Sequence, residues 1–148
     1  MRKKGIGIED TSFMILAAVL VMLVTAGIAG TAMMSFLNDN ERQTAFDSAS
    51  EIYKRARMLS LAYEGSSDVF DIIVPPRYGI RIDDEISALG DAFFDNGTLN
   101  SASETIASPY VLEGVRLQTD NIIIPPGEHT ILLEYSLENG REIYVSWS

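Results

Sequence analysis

The residues that could do chemistry in this chain are few and lie far apart in the sequence. No cysteine is present, which excludes disulfides, thiolate metal sites and cysteine nucleophiles. The single histidine, His129, cannot build a histidine-rich metal site, so we predict an ordinary turn or strand-edge residue. The acidic run Asp83-Asp84-Glu85 could bind a cation weakly, but a calcium loop needs more oxygen ligands at alternating spacing. We therefore predict no enzyme activity, no metal and no cofactor.

The densest pattern of charged residues lies at the N-terminus. Arg2-Lys3-Lys4 precedes Gly5, the acids Glu9 and Asp10 follow, and the stretch from Thr11 to Asn38 contains no charged residue. At about 1.5 Å per residue a helix of that length reaches about 42 Å, whereas a bilayer's hydrocarbon core is about 30 Å thick. The pattern predicts a membrane anchor or a helix built for an apolar place inside an assembly.

Two general interpretations of this segment are incomplete. An ordinary secretory signal has an apolar region of about 7–15 residues before its cleavage site, and the stretch here is about twice as long. Acids between the basic tip and the apolar region are also unusual for such a signal. A simple anchor needs about 20 apolar residues, which fits the length. It leaves unexplained why Gly5 follows three bases and why Glu9 follows soon after.

The arrangement Arg2-Lys3-Lys4-Gly5, followed by an apolar helix with an acid near its start, resembles the class III signal of archaeal type IV pilin-like proteins, the superfamily of archaellins and adhesion pilins. The resemblance covers about forty residues. It implies that a membrane peptidase recognises the basic pair Lys3 and Lys4 and cleaves between Gly5 and Ile6. Residues 1–5 would then be a signal peptide, and residues 6–38 the retained apolar helix.

The acid Glu9 has two interpretations. The resemblance implies that it pairs with the free N-terminal amine of a neighbouring subunit. An acid in an apolar assembly needs such a partner, because an unpaired buried charge costs several kcal/mol. From the residues alone, Glu9 and Asp10 could instead stabilise the N-terminus of the helix, where acids contribute about 0.3–1 kcal/mol.

Small residues in the apolar helix suggest where other helices pack. Ala26 and Gly30 form a small-xxx-small pair and Gly27 lies beside them. Such residues let backbones approach closely in membranes. The alternative is that Gly and Ala are simply common in membrane helices.

A second helical pattern occupies residues 39–65 and could continue the first. Apolar residues recur there at three and four positions, which is typical of an amphipathic helix. The stripe consists of Phe46, Ala49, Tyr53, Ala56, Leu59 and Tyr63. Gly65 is the predicted C-cap.

Residues 68–148 carry strand signals, so we predict an α+β fold: a long helix, apolar then amphipathic, followed by a small antiparallel β-sandwich-like head. The clearest element is a hairpin joined by Glu138-Asn139-Gly140, since Asn-Gly between two strands favours a tight turn. Residues 71–76 and 121–126 have similar sequences ending in Pro-Pro. Each is followed by a turn and a strand, which suggests two similar hairpins, although six residues could match by chance.

Charge and one modification motif predict the location of the head. The net charge is −10, and the excess of acids lies beyond residue 38, which argues against nucleic-acid binding. Lys and Arg beside a spanning helix favour the cytoplasmic side, so the N-terminus is predicted inside and the head outside. Asn96-Gly97-Thr98 is a sequon for N-glycosylation in a predicted turn.

The expected function is structural. The resemblance implies a subunit of a surface filament for adhesion or motility that polymerises through its apolar helix, stored in the membrane before assembly. A prepilin peptidase, an assembly ATPase and a membrane platform are its implied partners. The alternative is a membrane-anchored accessory protein whose head binds another envelope or filament component.

Overall fold

The computed structural model describes residues 8–102, 104–105 and 109–148, with side chains from Ser12 onward and without that of residue 104. One helix, α1, runs from Ile8 to Leu59. No proline occurs before Pro75, and the helix is rich in Ala, Leu and Met, which favour helix. The chain divides into two compact units, Met1–Asp39 and Asn40–Ser148, the second of which is called the head below.

Eleven strands are described after the helix, which confirms the α+β fold class. They are β1 (Ser67–Val74), β2 (Gly79–Ile82), β3 (Glu85–Gly90), β4 (Phe93–Asp95), β5 (Thr98–Ser101), β6 (Glu104–Thr105), β7 (Tyr110–Val111), β8 (Arg116–Thr119), β9 (Ile123–Ile124), β10 (Gly127–Ser136) and β11 (Glu142–Trp147).

The end of the helix differs from the expectation. The prediction of a helix to residue 65 with Gly65 as its C-cap is wrong, because α1 ends at Leu59. The N–H of Gly65 instead donates to the carbonyl of Tyr135, which extends the pairing of β1 with β10. Tyr63, predicted on the buried stripe, is 90% exposed for the same reason.

The first sheet, sheet A, has the strand order β1-β10-β11-β8. The predicted hairpin of the last two strands is confirmed, with Leu133 opposite Val145. The pair formed by β8 and β11 is parallel, which departs from a purely antiparallel head. Alternate residues of β1 are buried and exposed, as expected when one face of a sheet packs on a core.

The second sheet, sheet B, has the order β6-β3-β2-β9, and β7 also pairs with β3. Strands β4 and β5 form a separate hairpin. A Cβ atom added to Gly79 in β2 would lie 2.9 Å from Cζ of Phe94 in β4, so this glycine gives the phenyl ring its place against the strand.

The two Pro-Pro segments do not form the predicted pair of hairpins. Strand β1 pairs with β10 in sheet A, and β2 pairs with β9 in sheet B. Each Pro-Pro segment therefore carries the chain from one sheet to the other, and the two units pair with each other. Proline lacks an N–H group and cannot continue a central strand, which accounts for the exit from each sheet at these points.

One hydrophobic core joins both sheets to the second part of α1. Its members on the helix are Ala45, Ala49, Ile52, Ala56 and Leu59. Their spacing of three and four residues places them on one face, as an amphipathic helix requires. At the rim, Tyr53 stacks on Tyr110 with ring centroids 5.0 Å apart, and the Ser48 hydroxyl donates to the Ile73 carbonyl at 2.7 Å.

Candidate assembly surfaces

The apolar part of α1 is exposed to solvent wherever its side chains are described. Every side chain from Ser12 to Asn40 is exposed, and the large apolar ones from Phe13 to Leu37 are between 44% and 73% exposed. Within the described chain, this one helix is long and apolar enough to cross a membrane, although a signal sequence near an N-terminus would have the same features. A surface of this size needs lipid or other protein around it, because exposed apolar patches on soluble monomers are much smaller.

The predicted packing residues Ala26, Gly27 and Gly30 lie on this exposed part of the helix. A Cβ atom added to Gly27 or Gly30 would meet nothing within 4 Å. Nearby, the Thr25 hydroxyl donates to the carbonyl of Val21 at 2.6 Å, so its polar group is satisfied within the helix. The segment can therefore enter an apolar environment without leaving the hydroxyl of Thr25 unsatisfied.

The residues of the predicted processing site, Lys3, Lys4, Gly5 and Ile6, lie outside the described residues. Glu9 belongs to the first turns of α1, but its side chain also lies outside the description. Cleavage after Gly5 and pairing of Glu9 between subunits therefore stay predictions.

The sequon residue Asn96 lies in the two-residue turn between β4 and β5. Asp95 pairs with Thr98, and Asn96 and Gly97 both have positive φ angles, of 49° and 79°. This is the geometry of a tight hairpin turn that Asn-Gly favours. Asn96 and Thr98 are exposed, so an enzyme could reach both.

The other candidates from the sequence have structural roles. Asp83 and Asp84 form the connection between β2 and β3, and Glu85 accepts a hydrogen bond from Arg81 at 3.1 Å. Nε2 of His129 lies 2.9 Å from the carbonyl oxygen of Pro125. Among the residues that the structure describes, no group of three or more His, Cys, Asp or Glu could hold a metal ion.

Several arginine contacts were missed by sequence reasoning. The guanidinium of Arg55 donates to Glu51 at 2.6 Å and to Asp68 at 3.1 Å, and lies 4.5 Å from the centre of the Phe70 ring. Only the four-residue spacing of Glu51 and Arg55 was visible in the sequence, as a typical pair on a helix. The contacts with Asp68 and Phe70 connect the helix to the first half of β1.

Two tyrosines in the head have altered acidity. Burial raises the pKa of the Tyr78 hydroxyl above its usual value, and the negative charges of Glu41 and Asp91 add to the effect. A hydrogen bond with Asp120 raises the pKa of Tyr144. Neither shift brings a tyrosine nearer to ionisation at neutral pH, so neither indicates a general base.

Comparison of this chain with protein-family models, curated proteins and solved structures found no match.

Proposed function

We propose that this chain is a structural subunit of an archaeal type IV pilin-like surface filament and polymerises through its N-terminal apolar helix. Its partners are a prepilin peptidase, an assembly ATPase and a membrane platform, and its head lies on the outer side of the membrane. The observation that carries the proposal is the combination of an apolar helix segment exposed from Ser12 to Asn40 with a head that has a core of its own.

Polymerisation gives the exposed helix a place outside the bilayer. A large apolar side chain contributes about 1.5–3 kcal/mol when it is transferred from water to a buried position. Lipid satisfies such side chains before assembly, so transfer from lipid into a filament gains little from hydrophobicity. Close packing at Ala26, Gly27 and Gly30, pairing at Glu9 and an external motor must supply the difference.

The exposed Asn96 turn supports a glycosylated head. The asparagine lies at a hairpin turn, and its partner Thr98 is exposed beside it. A glycan at this position would extend into solvent without displacing any core residue.

The second candidate is a membrane-anchored accessory protein whose head binds another envelope or filament component. The same apolar helix supports it, since one such helix is sufficient for an anchor. It differs from the first candidate in requiring neither cleavage after Gly5 nor a repeating interface.

Intact mass spectrometry of the protein from native cell envelopes and from sheared filaments separates the two candidates. A chain that begins at Ile6 and is recovered with the filaments supports the pilin. A chain that retains Arg2-Lys3-Lys4 and stays in the membrane fraction contradicts it, because three charges cannot lie in an apolar filament core without partners.

A further inference from the structure

The head has many more acidic than basic residues, and only some of its arginines are paired with carboxylates. All but three of the 21 acidic residues and all but three of the 11 basic residues lie between Asn40 and Ser148, so the head is strongly acidic. Four of its arginines form ion pairs with carboxylates of the same chain. Those four are Arg55, Arg77, Arg81 and Arg116. Arg57 and Arg141 form none among the described residues, and they line the same cavity.

The cavity that these two arginines line has both apolar and polar walls: the apolar residues are Leu61, Val111, Leu112 and Val115, and the polar ones are Tyr53, Ser60 and Glu113. The cavity has a volume of about 400 Å³, and Leu61 and Val111 line it together with Arg57 and Arg141. Leu61 is 80% exposed and Val111 is 54% exposed. We call these four residues the arginine patch. It combines exposed apolar side chains with two arginines that form no ion pair among the described residues. Glu113 lines the same cavity, which leaves a net charge of +1 on its lining.

The outward face of sheet A has the opposite character. Val69 and Ile73 of β1 are 59% and 53% exposed. Asp71 lies between them, and Glu128 is the pairing partner of Ile73 in β10. Asp71, Ile73 and Glu128 line a second cavity, of about 460 Å³. We call Val69, Asp71, Ile73 and Glu128 the acidic face. Its two carboxylates form no ion pair within the described residues, although Asp71 accepts a hydrogen bond from Thr130.

We propose that the arginine patch of one copy of this chain docks on the acidic face of the next copy. The two surfaces complement each other in charge and in apolar content, and both are fully contained in the head. Each would cover exposed apolar side chains of the other, while the acids of one copy neutralise the arginines of the next. Complementary charge of this kind mainly fixes which surfaces meet and in which register.

A contact between two different surfaces has a consequence for assembly. It leaves one unused patch and one unused face at the two ends of every oligomer, so further copies can add without limit unless a ring closes. The inference rests on the proposed function, to which it adds a specific contact between heads. That contact is separate from the packing of the apolar helices.

Disulfide cross-linking of the full-length chain in its native membranes and filaments tests the contact. The protein has no cysteine, so introduced cysteines have no background. Cells would produce two forms together, Leu61→Cys and Ile73→Cys, and a mild oxidant would be added. Docking of the arginine patch on the acidic face would bring residues 61 and 73 of neighbouring copies together, so we expect disulfide-linked heterodimers. A disulfide forms only when the two Cα atoms come within about 7 Å, so the cross-link reports close contact. The matched control replaces Ile73→Cys by Leu137→Cys, which is exposed in the loop between β10 and β11.

Charge reversal supplies the second arm. Arg57→Glu in the Leu61→Cys form should lower the heterodimer yield about tenfold. Adding Asp71→Arg in the Ile73→Cys form should restore the yield, because the two opposite charges meet again with their positions exchanged. An unchanged yield with Arg57→Glu, a yield no higher than that of the Leu137→Cys control, or equal dimerisation of Leu61→Cys alone would each overturn the docking contact.

The two proposals fail in different ways. Filaments that contain the chain but give no heterodimer overturn the docking contact and leave the pilin proposal intact. Heterodimers in membranes whose sheared filaments lack the chain support the contact and contradict the pilin.

Discussion

Arg141 in the last hairpin holds the carboxyl end of the helix: its Nη2 donates a hydrogen bond of 2.7 Å to the carbonyl of Ser60, 81 residues earlier in the chain. The last carbonyl groups of a helix have no partner inside it and favour a nearby positive charge. The same guanidinium donates through Nε to the hydroxyl of Tyr135 at 3.3 Å. One side chain therefore connects the helix end to sheet A.

Arg141→Ala should destabilise the head by about 1–2 kcal/mol, because hydrogen bonds from charged groups contribute more than neutral ones but this one is partly exposed to water. Urea unfolding in detergent, followed by the emission of Trp147, measures the change. Arg77→Ala is the control, since its ion pair with Asp91 is exposed and should contribute under about 1 kcal/mol. Equal effects of the two variants would contradict a role for Arg141 at the helix end.

Ile52→Ala should cost about 2–5 kcal/mol, because its side chain is fully buried between the helix and the sheets and its loss leaves a cavity. The measurement is the same urea unfolding. Met58→Ala on the same helix is the matched control, as that side chain is 64% exposed and should matter by less than about 0.5 kcal/mol. A small effect at Ile52 would mean that the helix does not belong to the core of the head.

Tyr78 should make the head less stable in alkaline solution. Burial raises the pKa of its hydroxyl above the usual 10.0, so the folded state holds this proton more tightly than the unfolded state. The stability is therefore complete below the unfolded pKa and is lost as the pH rises from there through the higher folded pKa. Tyr78→Phe should reduce the fall in Tm as the pH rises above the usual tyrosine pKa of 10.0. Tyr63→Phe, at a 90% exposed position, should leave the profile unchanged.

Bulky residues at the small positions of the apolar helix should block assembly and spare the head. Gly30→Leu fills a position where a Cβ atom now meets nothing, which would hold neighbouring backbones apart. We expect at least about tenfold less protein in the sheared filament fraction, with unchanged unfolding of the head. Met33→Leu is the control, because it replaces one large side chain by another. Normal incorporation of Gly30→Leu would show that these small residues do not form the helix contact.

The Asn96 sequon can be tested without disturbing the turn. Thr98→Ala removes the sequon and leaves Asn96 in its positive-φ conformation, whereas Asn96→Gln would place a less suitable residue there. After subtraction of the mass change of the substituted residue itself, the intact mass should fall by the mass of a glycan in Thr98→Ala and show no further change in Thr98→Ser, which keeps the motif. A mass difference between the wild type and Thr98→Ala equal to that of the two residues alone would exclude modification at this site.

The elements that the sequence predicts well are those set by local pattern. The apolar stretch and the final hairpin needed only periodicity and an Asn-Gly turn. The helix end was missed because Gly65, an ordinary C-cap signal, has its N–H bound to Tyr135, seventy residues further along the chain. The parallel pairing of β8 with β11 likewise depends on distant strands and leaves no local signature.

The candidate sites divide in the same way. A motif of three residues located Asn96, and the small residues of the helix could be identified by type alone. The arginine patch could not, because Arg57, Val111 and Arg141 come together only through the folding of the head. That the two arginines form no ion pair with a carboxylate among the described residues is likewise a property of the three-dimensional arrangement.

The strands on either side of the first Pro-Pro segment pair with those on either side of the second, and this pairing sets the order of folding during synthesis. Val69 in β1 must wait for Leu132 in β10, so sheet A cannot form until nearly the whole chain has left the ribosome. Contacts between such distant residues form slowly, because the entropy of closing a long loop is lost before the contacts contribute any stabilising free energy. The apolar helix, by contrast, is complete early and needs no partner from the head. If the head is exported as proposed, the nascent chain would have its apolar helix formed and its remaining residues still unfolded, a state that can be threaded through a translocation channel.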